Sequence, residues 1–371
     1  MVLGPQMISP LTSPRSLFPS DPPRRIGVGH VEVTPLVRDN VADVLRSGWL
    51  SPGRWCERFE REWAALHQRR YAVFVNSGTS ALQIALAALK EKHAWPDGAG
   101  VIVPALTFVA TVNVVTQNGL RPVFADVDPY YGIELCAPPP PGTVAVIPVH
   151  VNGQQCGMDR VMRYAADHGL AVVEDSCECV AASLGGRIAH GVISCYSTYA
   201  AHHVTTGVGG FACTDDKNVA MLLRSLANHG RDRIFFDPLA STEQLVARRF
   251  NFERAGYSYR ASEFEAAVGC AQLPDLADGL RRRREIADFF ADSLGDLPLV
   301  LPRPRPGAQW WPMFYPVLTP QRDDLALFLE RHDVETRSFL PLTCQPVYRH
   351  LVREDDFPAA KRVNEQGLYW G

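Results

Sequence analysis

Three short stretches of this 371-residue chain combine residue types that can do chemistry. In "VNSGTSAL", Ser77, Gly78 and Thr79 stand between a β-rich run and a helical one. The free N–H groups of a helix start, the positive end of its dipole and neighbouring hydroxyls make a cradle for phosphate. In "VVEDSCEC", an apolar run ends in Glu174 and Asp175, which puts a carboxylate at the carboxyl edge of a sheet, where α/β proteins bind ligands. An acid there requires a cation or hydrogen-bond donors, and a protonated pyridine nitrogen is one such cation. In "SCYSTYAAHHVTTGVGG", Ser197 offers a second hydroxyl, Gly207, Gly209 and Gly210 permit close backbone approach, and two histidines supply groups that exchange protons near neutrality. With Phe108 available for the face of a ring, these residues follow the order that a pyridoxal phosphate site requires.

Bringing them to one edge needs an α/β scaffold. From Arg70, short apolar runs alternate with helical ones: "YAVFV" before "SGTSALQIALAALKEK", "GVIVPA" before "TFVATVNVVTQNG", then "RPVFADVD", "TVAVIPVH", the helical "GMDRVMRYAADHG" and "LAVVEDS". That alternation predicts a large, mainly parallel sheet covered on both faces. After Gly210 the pattern turns helical, with "KNVAMLLRSLANHG" and then one long helix or a pair broken at Pro274. From about Pro298, short strands and the helix "QRDDLALFLERHD" predict a smaller α/β domain. The expected organisation is a flexible tail over 1–25, a large cofactor-binding domain over 26–255, a connecting helical region over 256–297 and a small C-terminal domain over 298–371.

Composition narrows the function further. A net charge of −3 without long basic runs gives no footprint for nucleic acid or an anionic membrane surface. No stretch approaches the roughly 20 consecutive apolar residues of a membrane helix, and the Pro- and Ser-rich start lacks the pattern of a signal peptide. The nine scattered cysteines are then expected to be reduced thiols of a cytoplasmic protein. Cys177 and Cys179 form the one local pair, which is too few soft ligands for a closed metal site.

The chain resembles the DegT/DnrJ/EryC1/StrS family of pyridoxal-phosphate-dependent nucleotide-sugar aminotransferases and dehydratases. The resemblance runs from about Gly48 to the C-terminus, on "GWLSPGRWCERFEREWA", "NSGTSALQIAL", "VIVPALTFVATVNVV", "PVFADVDP", "VIPVHVNGQ", "VVEDSCECVAA", "NHGRD" and "GYSYRASEFEAAVGCAQL". It implies the fold-type I architecture of aspartate aminotransferase and a homodimer whose sites draw on both subunits. It implies that Gly78 and Thr79 hold the phosphate with Ser197, that Phe108 stacks on the pyridine and that Asp175 pairs with the ring nitrogen. Glu178 occupies the place where the family's aminotransferases carry Gln, which implies a binding role. Ser258 occupies that of an Asn reaching the partner's phosphate, and Val208 replaces an acid of the glycine turn. The resemblance also implies a further segment beyond the terminal "GLYWG".

His202 falls where aminotransferases of the family carry the lysine that forms the Schiff base. Imidazole cannot form that bond, and the other lysines, Lys90, Lys92, Lys217 and Lys361, lie in helical stretches that read as exposed. Within the family, "HH" followed by a Thr-Gly turn is similar to the sugar 3-dehydratase branch, in which the cofactor arrives as pyridoxamine phosphate. The resemblance then implies a nucleotide-linked 4-keto-6-deoxy sugar as substrate, loss of its C3 hydroxyl, His202 as acid and base, and an amino donor such as glutamate. Two alternatives stay open: a sugar aminotransferase with noncovalently held cofactor, and a noncatalytic sugar-binding or dimer-partner relative. The "GRDRIFFDP" stretch has no thiol, which argues against the branch that carries an iron–sulfur cluster just after "GRD".

Overall fold

The computed structural model describes residues 25–29, 31–232, 239–339 and 342–371. The expected flexible tail therefore lies, except for Arg25, outside the described residues, as does most of the "GRDRIFFDP" stretch.

Two helices, α1 (Pro35–Ser47) and α2 (Arg54–Leu66), precede the sheet. Thr34 starts α1 by accepting a hydrogen bond from Val37 N, Pro35 fits its first turn, and Gly48 at φ 66° ends it. There follow β1 (Tyr71–Val75), α3 (Gly78–His93), β2 (Gly100–Pro104), α4 (Val109–Gln117), β3 (Arg121–Ala125), β4 (Thr143–Val146), α5 (Met158–His168), β5 (Ala171–Asp175), β6 (Ile193–Ser197) and β7 (Gly210–Thr214). These strands form one seven-stranded sheet in the order β1-β7-β6-β5-β4-β2-β3. β7 alone runs antiparallel to its neighbours. The predicted mainly parallel α/β sheet is thus present, and its strands read as apolar runs because helices cover both faces.

α3 is buried on almost every side, from Ala81 and Leu82 to Ala88 and Leu89. On the opposite face, Phe59 and Trp63 of α2 pack on Phe74 and Phe211, with the Trp63 and Phe211 rings stacked at 4.5 Å. This double cover fixes the carboxyl ends of β5 and β6 beside the start of α3.

Beyond the sheet come α6 (Lys217–Ala227), α7 (Thr242–Ala247), α8 (Glu263–Gln272) and α9 (Leu276–Leu294). The predicted interruption at Pro274 separates α8 from α9. The second sheet, in the order β8-β10-β9, contains β8 (Tyr315–Leu318), β9 (Thr336–Ser338) and β10 (Gly367–Trp370), with α10 (Arg322–Arg331) and α11 (Pro358–Gln366) between the strands. α11 has no counterpart in the sequence reading. Its first N–H groups, on Ala359 and Ala360, donate to the Asp126 carboxylate just past β3, a cap supplied from the other sheet. Ile26 pairs with Val334 beside β9, so the first described segment also touches the smaller sheet. No helix among the described residues is long and apolar enough to cross a membrane.

Candidate active site

The end of β5 sends two carboxylates to opposite faces of the sheet. Glu174 is fully buried and accepts from Gly191 N at 2.6 Å, His190 N at 2.7 Å and His150 Nε2 at 2.9 Å. These donors hold its carboxyl below the usual range against the opposing effect of burial. His150 accepts from Cys156 N through Nδ1, so its proton sits on Nε2 and the pair is a structural anchor. Asp175 points the other way. It accepts from the Thr111 hydroxyl at 2.7 Å and from Cys177 N at 3.2 Å, and it forms no ion pair among the described residues. A carboxylate only 5% exposed, oriented by two donors, suits a ligand that brings a cation.

Beside it, Ser77 caps α3 by accepting from Ser80 N at 3.0 Å. The N–H groups of Gly78 and Thr79 then belong to the unpaired first turn. The close approach needs glycine at two positions. A Cβ on Gly78 would lie 2.7 Å from Cys177 Sγ and 2.9 Å from Ser197 Cβ, and one on Gly210 would lie 2.5 Å from Gly78 N. Ser197, Gly78 and Asp175's neighbour Cys177 therefore meet at the start of α3. Phe108, at the N-terminus of α4, is 61% exposed, an apolar face presented outward at the end of the β2 connection.

The excursion from Ser197 to Gly210 carries the two histidines, which differ in their contacts. His203 Nε2 donates to Trp311 O at 2.7 Å, tying that ring into the segment before β8. His202 makes no such tie; its Nδ1, like that of His203, is buried without a hydrogen-bond partner, and its ring stands perpendicular to the exposed Tyr199 ring, 6.2 Å between centroids. Burial, with the Arg283 charge, pushes His202 down to about 4 and His203 down to about 3. Both imidazoles are neutral at physiological pH.

Glu178 follows β5 and accepts from Asn152 N at 3.0 Å; burial, aided by the Asp175 charge, pushes its carboxyl up to about 7. Tyr369 of β10 lies within reach of the Glu178 charge. Ser258 sits elsewhere: its hydroxyl is exposed and accepts from Arg260 Nη2 at 3.1 Å, although the backbone of adjacent Tyr259 accepts from Asn76 N at 2.8 Å. The chain thus gathers Gly78, Thr79, Asp175, Ser197 and the Phe108 and His202 loops around one sheet edge, and leaves Ser258 on an outer face. Sequence reasoning missed Thr111 and Cys177. The Thr107–Thr111 spacing, one helical turn across the start of α4, carried the only local signal, and their hydroxyls lie 2.8 Å apart.

These residues fit a phosphorylated pyridine. The cradle is one that a single extra methyl would fill, the buried acid stands ready for a ring cation, and the unpartnered Nδ1 atoms of His202 and His203 lie in the same loop system. No group of three or more His, Cys, Asp or Glu among the described residues could hold a metal ion.

The model of the DegT/DnrJ/EryC1/StrS aminotransferase family matches residues 34–370. The spore coat polysaccharide biosynthesis protein SpsC of Bacillus subtilis is 33% identical, over 88% of this chain and 87% of its own. A GDP-perosamine synthase of Caulobacter vibrioides is 32% identical, over 94% and 93%. The structure of an Escherichia coli GDP-4-keto-6-deoxy-D-mannose-3-dehydratase with bound hydrated PLP superposes with a TM-score of 0.84 at 23% identity, covering 93% of this chain and 94% of that one.

Proposed function

The chain belongs to the DegT/DnrJ/EryC1/StrS aminotransferase family, and from that premise we propose that it removes the C3 hydroxyl of a nucleotide-linked 4-keto-6-deoxy sugar, with His202 as acid and base. It is an enzyme, and the family's cofactor is pyridoxal or pyridoxamine 5′-phosphate.

The observation that supports dehydration is the location of the four lysines. Lys90 is paired with Asp97 and Asn118 O, Lys92 with Asp216, and Lys361 with Asp355, while Lys217 lies exposed at the start of α6. None is placed to tether a cofactor at Asp175 and Gly78. The position that would carry a tethering amine holds an imidazole instead.

In this reading the α3 N–H groups at Gly78 and Thr79 and the Ser197 hydroxyl bind the phosphate, and Phe108 covers one ring face. Asp175, oriented by Thr111, stabilises a protonated ring nitrogen. When bound in its pyridoxamine form, the cofactor supplies the amine for a 4-keto sugar and an electron sink. His202 is held neutral by burial, so its unpartnered Nδ1 is free to take a proton and later return one as the C3 hydroxyl departs. His203, fixed to Trp311 O, holds the loop. Glu178 near half-protonation both donates and accepts, which suits a ring oxygen or a sugar hydroxyl. Ser258 and Arg260, on an exposed face, serve the phosphate of a partner subunit in a homodimer. An amino donor such as glutamate restores the pyridoxamine form.

A second reading is favoured by the GDP-perosamine synthase relative: amine transfer at C4 with noncovalently held cofactor. Product analysis separates the two. Incubated with pyridoxamine phosphate and a panel of 4-keto-6-deoxy nucleotide sugars, the protein is expected to yield a 3-deoxy keto sugar. A 4-amino sugar as the sole product would replace dehydration by transamination.

A further inference from the structure

Away from the sheet edge, a cavity of about 340 Å³ opens between the loop after β3 and the smaller sheet. Its lining joins Tyr131 of that loop to Val300 and Arg303 before β8, Leu318 at its end, and Arg362 and Val363 of α11. The volume lies in the range of small-molecule sites.

The chemistry of the lining is one-sided. Tyr131 is 8% exposed and held at φ 65° in a loop that the Asp128 carboxylate organises by accepting from Tyr130 N and Gly132 N. Its ring is fixed edge-on to Phe339 at 4.7 Å in the cavity wall, and burial pushes its hydroxyl up to about 12. The guanidinium groups of Arg303 and Arg362 both lie within electrostatic reach of that hydroxyl. Arg362 contacts Gln366 Oε1 at 3.4 Å, and neither arginine has a carboxylate partner among the described residues. The one acid of the lining, Asp128, is matched by Arg160 at 2.9 Å and Arg305 at 2.5 Å, so it does not neutralise them. Apart from Tyr130, the rest of the wall is aliphatic.

We propose that this interdomain cavity is a second ligand site, for a small organic anion whose phosphate or carboxylate head is held by Arg303 and Arg362, with the Tyr131 hydroxyl donating to it and an apolar body against Val300, Leu318 and Val363. Guanidinium forks suit either head, and charge-assisted hydrogen bonds give them their strength. The site uses none of the residues assigned to the cofactor.

The test is calorimetric titration of the full chain saturated with pyridoxamine phosphate, so that the cradle at α3 is occupied. Phenyl phosphate and phenylacetate are the anionic probes, and benzyl alcohol is the neutral one. One additional site per chain is expected for at least one anion, with the tighter of the two identifying the head group, and none for the alcohol. Arg362→Ala and Arg303→Ala, both at exposed positions, should each weaken binding tenfold or more, and Tyr131→Phe should weaken it severalfold. Absence of binding by either anion at about 10 mM, equal binding by the alcohol, or unchanged affinity in both arginine variants would overturn the proposal.

Discussion

Replacing Gly78 by alanine tests the cradle with a single methyl. The added carbon would sit 2.7 Å from Cys177 Sγ and 2.9 Å from Ser197 Cβ, against roughly 3.5–4.0 Å for carbon at rest. Both neighbours are fixed to strand ends in the centre of the sheet, so relief of about 1 Å must come from pushing the start of α3 outward. Overpacking of this kind costs about 1–3 kcal/mol. Because the displaced groups are the N–H donors of the first turn, the strain should appear in cofactor affinity, as a loss of roughly 5- to 150-fold. Spectroscopic titration with pyridoxal phosphate measures it. The double variant Gly78→Ala, Cys177→Ala removes the sulfur contact and leaves the Ser197 one, so it should recover part of the loss. Gly279→Ala on α9, where a Cβ meets nothing within 4 Å, is the control and should bind as the parent does. Unchanged affinity in Gly78→Ala would refute placement of the phosphate at this helix start.

Two further expectations follow from the same geometry. His202 and His203 have folded-state values depressed to about 4 and about 3, so the unfolded chain binds their protons first, near pH 6.5. Stability is therefore full above pH 6.5 and falls as pH drops toward 4; at pH 5 each imidazole withdraws about 2 kcal/mol, which urea unfolding between pH 7.5 and 5 should reveal and a flat profile would deny. Borohydride reduction of the cofactor-loaded protein followed by intact-mass analysis should show no covalent increment, whereas a modified lysine would place an amine in the cleft.

The sequence made the large sheet legible because parallel strands buried on both faces leave unbroken apolar runs, and each run was followed by a helical period. Ser77 to Thr79 and Asp175 were legible for a related reason: a ligand edge in such a sheet lies where a strand ends, and that end is local. What required coordinates was nonlocal. The cap of α11 is Asp126, from beyond β3, so nothing near Pro358 signals it beyond the proline itself. The orientation of Asp175 by Thr111 spans two strand–helix units. His202 was set apart from His203 by the resemblance alone, and the coordinates add that His203 is tied to Trp311 O, a backbone acceptor far along the chain. The Tyr131 cavity is assembled from four separated segments, each ordinary on its own.

The claim that His202 moves the proton is tested most directly by isotope exchange. In deuterium oxide, with pyridoxamine phosphate and a 4-keto-6-deoxy nucleotide sugar, the protein should replace one C4′ hydrogen of the cofactor with solvent deuterium. His202→Asn should slow that exchange by roughly 100- to 10,000-fold while cofactor affinity stays within threefold. Exchange at the parent rate in the variant would assign the proton to another group and contradict the account.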